Sequence, residues 1–217
     1  MERRTESKLE PIILPPPKLD HGGSLAEALR ARRTVRAFSD RALPKQILSD
    51  LLWAACGINR RNGPFGVAGR TAASASNSQE VVVYVALREG AYFYDAAAHR
   101  LEPVAKGDLR RFGLSARQGE GGADAPVRLI YVADIGKLEH TAGFDEPGLH
   151  DFEVQQSYYY VDTGLIAANV YLFAASQNLA AWFHNCDRAA LSQKLGLSDR
   201  QRPLFAQTVG YPEGAAP

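Results

Sequence analysis

The sequence predicts one domain of mixed helices and strands, and three observations carry that reading. With 217 residues, 46 % of them hydrophobic and 23 % charged, the chain has ordinary globular composition and length for one sizeable core. Residues 81–87 form a continuous apolar, largely β-branched run and 127–133 another apolar stretch, the pattern of buried strands. Residues 153–177 are apolar on nearly every side of a helix, through Val154, Tyr158, Val161, Leu165, Ile166, Val170 and Leu172. A helix of that kind is covered all round. In a chain of this size, a second subunit is expected on one flank.

The elements follow in order. Residues 1–23 are charged and then proline-rich (Leu14, Pro15, Pro16, Pro17), which favours an extended arm lying on the body or on a partner. The folded domain is expected over 24–217. Ser24 and Glu27 form an S-x-x-E capping box, so a helix starts there. A second helix is expected over about 44–56, with Pro44 at its first position, an apolar stripe through Ile47, Leu48, Leu51, Leu52 and Ala55, and Gly57 at its C-terminal turn. Residues 57–80 read mostly as loop. The runs 81–87, 91–94 and 101–104 make a meander, with His99 exposed at a turn tip.

Residues 109–116 look helical, 119–124 loose, and 127–133 strand-like. The polar, turn-rich stretch 134–151 reads as a mobile lid. It contains His140, Gly143, Asp145, Glu146, Pro147, Gly148 and His150, and that spacing matches no familiar metal site. After the long helix, 179–183 is a strand. Asp187 caps a helix over 188–195, Gly196 ends it, and 204–209 is the last strand.

Charge narrows the function. Residues 1–70 carry 13 Lys and Arg against 7 Asp and Glu, while the remainder carries 12 against 17. That local surplus fits an anion site better than a nucleic-acid face, and no nucleic-acid motif accompanies it. Cys56 and Cys186 lie far apart, so no zinc site or disulfide framework is indicated. The first residues include Glu2 and Arg3 and no apolar run, so no secretory signal is expected and the location is read as cytoplasmic, with no membrane span.

The candidate site starts where the first helix ends. Arg30, Arg32, Arg33 and Arg36 crowd into seven residues with Thr34 among them. Arginine near a helix C-terminus is favoured by the helix dipole, so end-capping is one reading. Guanidinium forks also bind phosphate or carboxylate bidentately, so an anion seat is the other. In 70–79, Arg70, Thr71, Ser74, Ser76, Asn77, Ser78 and Gln79 offer many donors and little bulk. A solvated turn and close approach of a flat polar ligand are both open there. His184 and Asn185 fall between the strand 179–183 and the helix capped by Asp187, where free amides point outward.

In these segments the sequence resembles the nitroreductase family of flavin enzymes. Arg32 to Phe38 is similar to the family's R-x-S-x-R-x-F segment, and Arg70 to Gln79 to its R-T-x-P-S-x-x-N-x-Q loop, with Ala73 where proline is usual. The D-x-G at Asp162 to Gly164, the Asn169 to Ala175 stretch and Gly210-Tyr211-Pro212 fall in the family's order. The resemblance implies an α+β nitroreductase-like fold with a mainly antiparallel central sheet flanked by helices. It also implies an intertwined homodimer with FMN at each subunit junction. The cofactor-binding residues it implies are Arg32, Arg33, Thr34, Arg36, Ser74, Asn77, Gln79, His184, Asn185 and Gly210, with an amide of the 184–187 turn at the flavin N5 edge. No catalytic residue is assigned, though His184 is weighed as an acid. Relatives often continue into a basic tail that completes the phosphate site, and the residues up to Pro217 include none.

The activity implied is an FMN-dependent oxidoreductase, with NAD(P)H as transient co-substrate and a small electron-poor acceptor such as a nitroaromatic or quinone. No G-x-G-x-x-G marks a separate nicotinamide site. Two alternatives stay open: a flavin-dependent dehydrogenase of a peptide-borne heterocycle, since Leu14 to Pro17 and Leu51 to Ala55 resemble that branch of the family, and a flavin-binding or dimeric module without turnover. The Lys-Tyr pair of the biosynthetic branch is not found.

Overall fold

The computed structural model describes residues 8–18, 20, 22–118, 125–142 and 150–214. In chain order the strands are β1 (Ile12–Ile13), β2 (Ile58–Arg60), β3 (Gly69–Arg70), β4 (Val81–Ala86), β5 (Gly90–Asp95), β6 (Arg100–Lys106), β7 (Val127–Asp134), β8 (Ala180–His184) and β9 (Gln201–Gly210). The helices are α1 (Leu25–Ala31), α2 (Lys45–Cys56), α3 (Ile135–Glu139), α4 (Phe152–Ser176) and α5 (Arg188–Lys194). Seven strands form one antiparallel sheet in the order β1-β6-β5-β4-β7-β9-β8, and β2 pairs with β3 apart from it.

The strands β4 and β7 carry apolar residues without alternation, Arg128 of β7 apart, because both faces of the sheet are covered. Val83 and Val85 face one core with Leu129, Tyr131, Leu51 and Leu52 of α2 and Ile166 and Val170 of α4. Val82, Tyr84, Ile130 and Val132 face the other, closed by Leu191 and Leu195 at the α5 end. Successive strand residues point to opposite faces, so every position needs an apolar partner. Both caps read from the sequence are formed. Glu27 N donates to Ser24 Oγ while Ser24 N donates to the Glu27 carboxylate, and Ala190 N donates to Asp187 Oδ1 at 3.0 Å.

Several expectations need correction. His99 is half-buried rather than exposed. Its Nδ1 meets the Tyr94 hydroxyl at 2.9 Å, and its Nε2 meets Ser49 Oγ at 2.7 Å and Pro15 O at 3.1 Å. The proline-rich segment therefore lies on its own body, with Leu14 buried and Lys18 N donating to Asp50 Oδ1. Pro44 caps α2 from outside it, and Gly57 is extended (φ −70°) rather than left-handed. Gly57 is needed because a Cβ there would lie 2.7 Å from Trp53 Cα. Residues 57–80 hold the β2–β3 hairpin, and 109–116 forms 3₁₀ turns at Arg110–Gly113 and from Ala116.

Strand β9 begins at Gln201, before the expected start, and carries Pro203 inside a ladder. It does so where the β7–β9 register shifts between Tyr131 and Val132, a bulge being where a sheet tolerates a missing donor. The lid expected over 134–151 starts instead with α3, while Gly143, Asp145, Glu146, Pro147 and Gly148 lie outside the described residues, as do 119–124. Long helix α4 buries only one side. Val161 is 61 % and Leu165 41 % exposed, and with Ala168 they form a bare apolar stripe.

Candidate functional site

Helix α1 stops at Arg32, whose φ −55° and ψ 120° turn the chain out of the helix. The following residues run along β8, the edge strand of the sheet. Val35 N donates to Ala181 O at 3.0 Å, Phe38 bridges Pro212, and Ser39 N donates to Tyr211 O at 2.9 Å. Tyr171, on α4, joins the segment to the sheet. Its hydroxyl meets Thr34 Oγ1 at 3.1 Å and accepts from Phe183 N at 2.8 Å.

Arg32 lies over the Tyr171 ring at 5.5 Å and Arg36 over the Trp182 ring at 5.6 Å. Arg33 lines a recess of about 250 Å³ against Tyr171, Ala181 and Pro212. Arg32, Arg33, Thr34 and Arg36 are all exposed, and no carboxylate among the described residues pairs with the three arginines. A clustered set of unneutralised forks is costly without an anion to share. Gly210 lies beside this segment, where a Cβ would meet Pro126 at 2.8 Å and Phe38 at 3.5 Å.

The edge strand supplies a second kind of donor. Phe183 N points away from β9 toward Tyr171, so in an antiparallel ladder His184, the next residue, faces β9, where it pairs with Ala206. Asn185 follows at the end of the strand and is exposed, and the alternation directs its amide away from β9. His184 itself is buried. Its Nδ1 meets Asn185 O at 2.8 Å and its Nε2 meets Thr208 Oγ1 at 2.8 Å. Burial pushes the imidazole pKa down to about 4, and the Arg128 charge adds to that. Burial therefore favours the neutral ring, whose two nitrogens are both engaged.

The 70–79 loop is strained and internally bonded. Ser76, Asn77 and Gln79 have φ of 48°, 55° and 52°, unusual for residues other than glycine. Gln79 N donates to Ser74 Oγ at 3.0 Å. Asn77 Nδ2 donates to Val67 O at 3.1 Å, and the Gln79 amide binds Ala68 O and Asn77 Oδ1 while accepting from Arg70 Nε. The side chains of Asn77 and Gln79 thus tie the loop to the 64–68 turn.

A cavity of about 90 Å³ borders the loop at Ser74 and Gln79, and its mixed lining includes Val83, Phe93 and Ile166 together with Arg70, Glu80, Lys137 and Asp162. Asp162 Oδ2 accepts from Ala75 N at 3.0 Å. Glu80 is fully buried, with Oε2 bound by Ser78 and Oε1 lacking a hydrogen-bond partner. Burial, with Asp162 as a further cause, raises the Glu80 pKa above its ordinary 4.5. Burial also raises Asp162, and it lowers Lys137 with help from Arg70.

One protomer does not bring the two groups together. Asp162 holds the loop and Tyr171 the arginine segment, and nine helical residues separate them by about 14 Å of rise and half a turn. The bare stripe of Val161, Leu165 and Ala168 lies about a quarter turn from each. The sequence missed Tyr171, Trp182, Glu80 and Lys137 as neighbours of these groups. Only the D-x-G of Asp162 offered a signal, since an acidic residue in an apolar helix needs a partner. Among the described residues, no cluster of His, Cys, Asp and Glu is placed to hold a metal, and no helix is long and apolar enough to cross a membrane.

Comparison with known proteins defines the class first. A crystal structure from Ralstonia eutropha, described provisionally as a nitroreductase, matches with a TM-score of 0.80 and 33 % identity, covering 94 % of this chain and 90 % of that one. A chain of the Escherichia coli microcin synthetase complex matches at 0.63 with 18 % identity, over 94 % of this chain and 78 % of its own, a likeness of fold alone. The architecture is therefore that of a flavin-type oxidoreductase with an α+β fold. A Methanocaldococcus jannaschii protein, also described provisionally as a nitroreductase, is 27 % identical over 198 residues, 86 % of this chain and 90 % of its own. The sequence profile of the nitroreductase family matches residues 29–211, and the chain belongs to that family.

Proposed function

We propose that this chain is an FMN-dependent oxidoreductase that uses NAD(P)H to reduce a small electron-poor acceptor such as a nitroaromatic or quinone. The observation that carries the reading is the exposed, unneutralised set of Arg32, Arg33 and Arg36 along the edge strand β8, after which the exposed Asn185 follows. Forked cations suit a terminal phosphate, and a fixed amide suits a ring-edge acceptor. Bound FMN would supply the redox chemistry, taking reducing equivalents from NAD(P)H and passing them to the acceptor. In this reading Arg32, Arg33, Thr34 and Arg36 seat the phosphate and ribityl end. Gly210 leaves room for that segment to close on the sheet. His184 and Asn185 set the turn at the ring edge, while Ser74, Asn77 and Gln79 shape the opposite wall.

That wall comes from a second copy of the chain. The loop and the arginine segment lie on opposite sides of α4, so one flavin meets both only across an association of two protomers. Val161 and Leu165, bare and apolar between them, suit the face of a homodimer. A cytoplasmic location fits a cofactor reduced by NAD(P)H.

The purified protein should be yellow, and its released cofactor should match FMN rather than FAD. Anaerobic mixing with NADH or NADPH should bleach it, and a quinone or nitroaromatic should restore the colour. Colourless protein that takes up no added FMN refutes the proposal. Bound FMN that no nicotinamide reduces leaves a flavin-binding module instead.

A further inference from the structure

Arg128 is the second residue of β7 and fully buried, where an aliphatic side chain would continue the apolar run. Its Nε donates to Thr208 Oγ1 at 2.9 Å, and a terminal nitrogen donates to Arg110 O. Arg110 is in turn held by Asp108 and by Ala125 O. Gly113 leaves room for the arginine, whose side chain fills the space a Cβ there would take. A buried cation is expensive unless its donors are used, and the Nε of this one is spent on the Thr208 hydroxyl beside His184.

The directions in the resulting chain follow from its two ends. A guanidinium only donates, so Thr208 Oγ1 accepts from Arg128. The threonine's own hydrogen is then free for His184 Nε2, 2.8 Å away, which becomes an acceptor. At the other end Asn185 O is a carbonyl and only accepts, so the proton is on His184 Nδ1. The carbonyl end sets this tautomer for a neutral ring, and the threonine, with its hydrogen available, matches it. Trp182, its ring 4.5 Å from the imidazole, covers it from the side of Arg36.

We infer that Arg128 and Thr208 are positioning residues: they fix His184 as the neutral Nδ1–H imidazole, which clamps the Asn185 carbonyl and so holds the 184–187 turn with its Asn185 amide facing outward. What that amide serves rests on the function proposed above, in which it meets the flavin edge. The clamp is a property of this chain with or without a ligand. It also explains the histidine: with both ring nitrogens engaged, it orients backbone and passes no proton.

Nitrogen-15 spectra of the imidazole distinguish Nδ1–H, Nε2–H and imidazolium directly on the flavin-free protein. Between about pH 6 and 8, where an unperturbed histidine titrates, wild-type His184 should stay neutral with its proton on Nδ1. Thr208→Val should bring in another protonation form and shift the Asn185 amide resonance as the turn loosens. Thr208→Ser should restore both. Because Thr208→Val strands the Arg128 Nε, the double variant Arg128→Met/Thr208→Val, which removes both polar groups, serves where the single one fails to fold. It should show the same loosened histidine. An Nε2–H ring in the wild type, an unchanged spectrum in the valine variants, or a serine variant that behaves like valine overturns the inference. A wild type that shows Nδ1–H but binds no FMN overturns the proposed function and leaves the clamp standing.

Discussion

Tyr171→Phe tests whether the arginine segment is held by the fold or merely lies on it. The phenol accepts from Phe183 N at 2.8 Å and meets Thr34 Oγ1 at 3.1 Å. An amide only donates, so the tyrosine spends a lone pair on Phe183 and keeps its own hydrogen for the threonine. Removing the oxygen leaves a half-buried amide unpaired, at about 1–2 kcal/mol. In a chain of this length each kcal/mol moves Tm by about 2–4 °C, so the flavin-free protein should melt about 2–8 °C lower. Thr34→Val is the control. It breaks only the exposed half of the bridge and should cost about 0.5 kcal/mol or less. Paired thermal melts decide the matter. Equal losses in the two variants, or a larger one in Thr34→Val, refute the assignment of the hydroxyl as acceptor for the β8 edge.

Further outcomes follow from the same geometry. Arg32→Ala should leave the melt unchanged, because the side chain is exposed, and weaken FMN binding about 10- to 150-fold, the effect of about 1.5–3 kcal/mol from a lost charge-assisted bond; fluorescence titration reads it, and wild-type affinity would reduce Arg32 to an end-cap. Leu165→Glu should shift the protein toward monomer in light scattering, since it puts a charge on the bare stripe of α4, and an unchanged mass would place the interface elsewhere. Asn185→Gly should retain most NAD(P)H oxidation while Asn185→Pro, which deletes the amide, should lose FMN or most turnover. Stability against pH should carry two opposed slopes. His184, lowered to about 4 by burial, stabilises above its unfolded value near 6.5, and that contribution is lost as pH falls toward 4. Glu80, raised above 4.5 by burial, contributes stability that is full below 4.5 and lost as pH climbs above it. Each slope is at most about 1.4 kcal/mol per pH unit, so Glu80→Gln should make stability rise more steeply between about pH 4.5 and 6.5 in urea titrations.

Features legible in the sequence were those set by neighbours along the chain. The Ser24–Glu27 box, the Asp187 cap and the strands 81–87 and 127–133 depend on residues a few positions apart, and they stand where the pattern placed them. Gly57 was placed correctly at a helix end for the wrong reason, since what requires it is the approach of Trp53, not a positive φ. His99 was misread because its partners, Ser49 and Pro15, are 50 and 84 residues away. The Arg128–Thr208–His184 chain depends on the β7–β9–β8 register, which no local pattern encodes. A visible trace did exist in Val127-Arg128-Leu129-Ile130-Tyr131, where one arginine interrupts an otherwise apolar strand.

The phase of α4 links fold to function. Counting at 100° per residue, Asp162 and Tyr171 fall half a turn apart, with Ile166 and Val170 on the buried side between them and Val161, Leu165 and Ala168 on the bare side. One helix therefore fixes the loop, fixes the arginine segment, fills the core and exposes the remaining face. A chain that needed only to fold would place polar residues on that last face, as surface helices do. Its apolar character is unfavourable for an isolated protomer and intelligible for a pair, because a second helix laid along the stripe sits a quarter turn from both half-sites. In the proposed function association and ligand seating share a single element, so a change that rotates or unwinds α4 is expected to disturb both together.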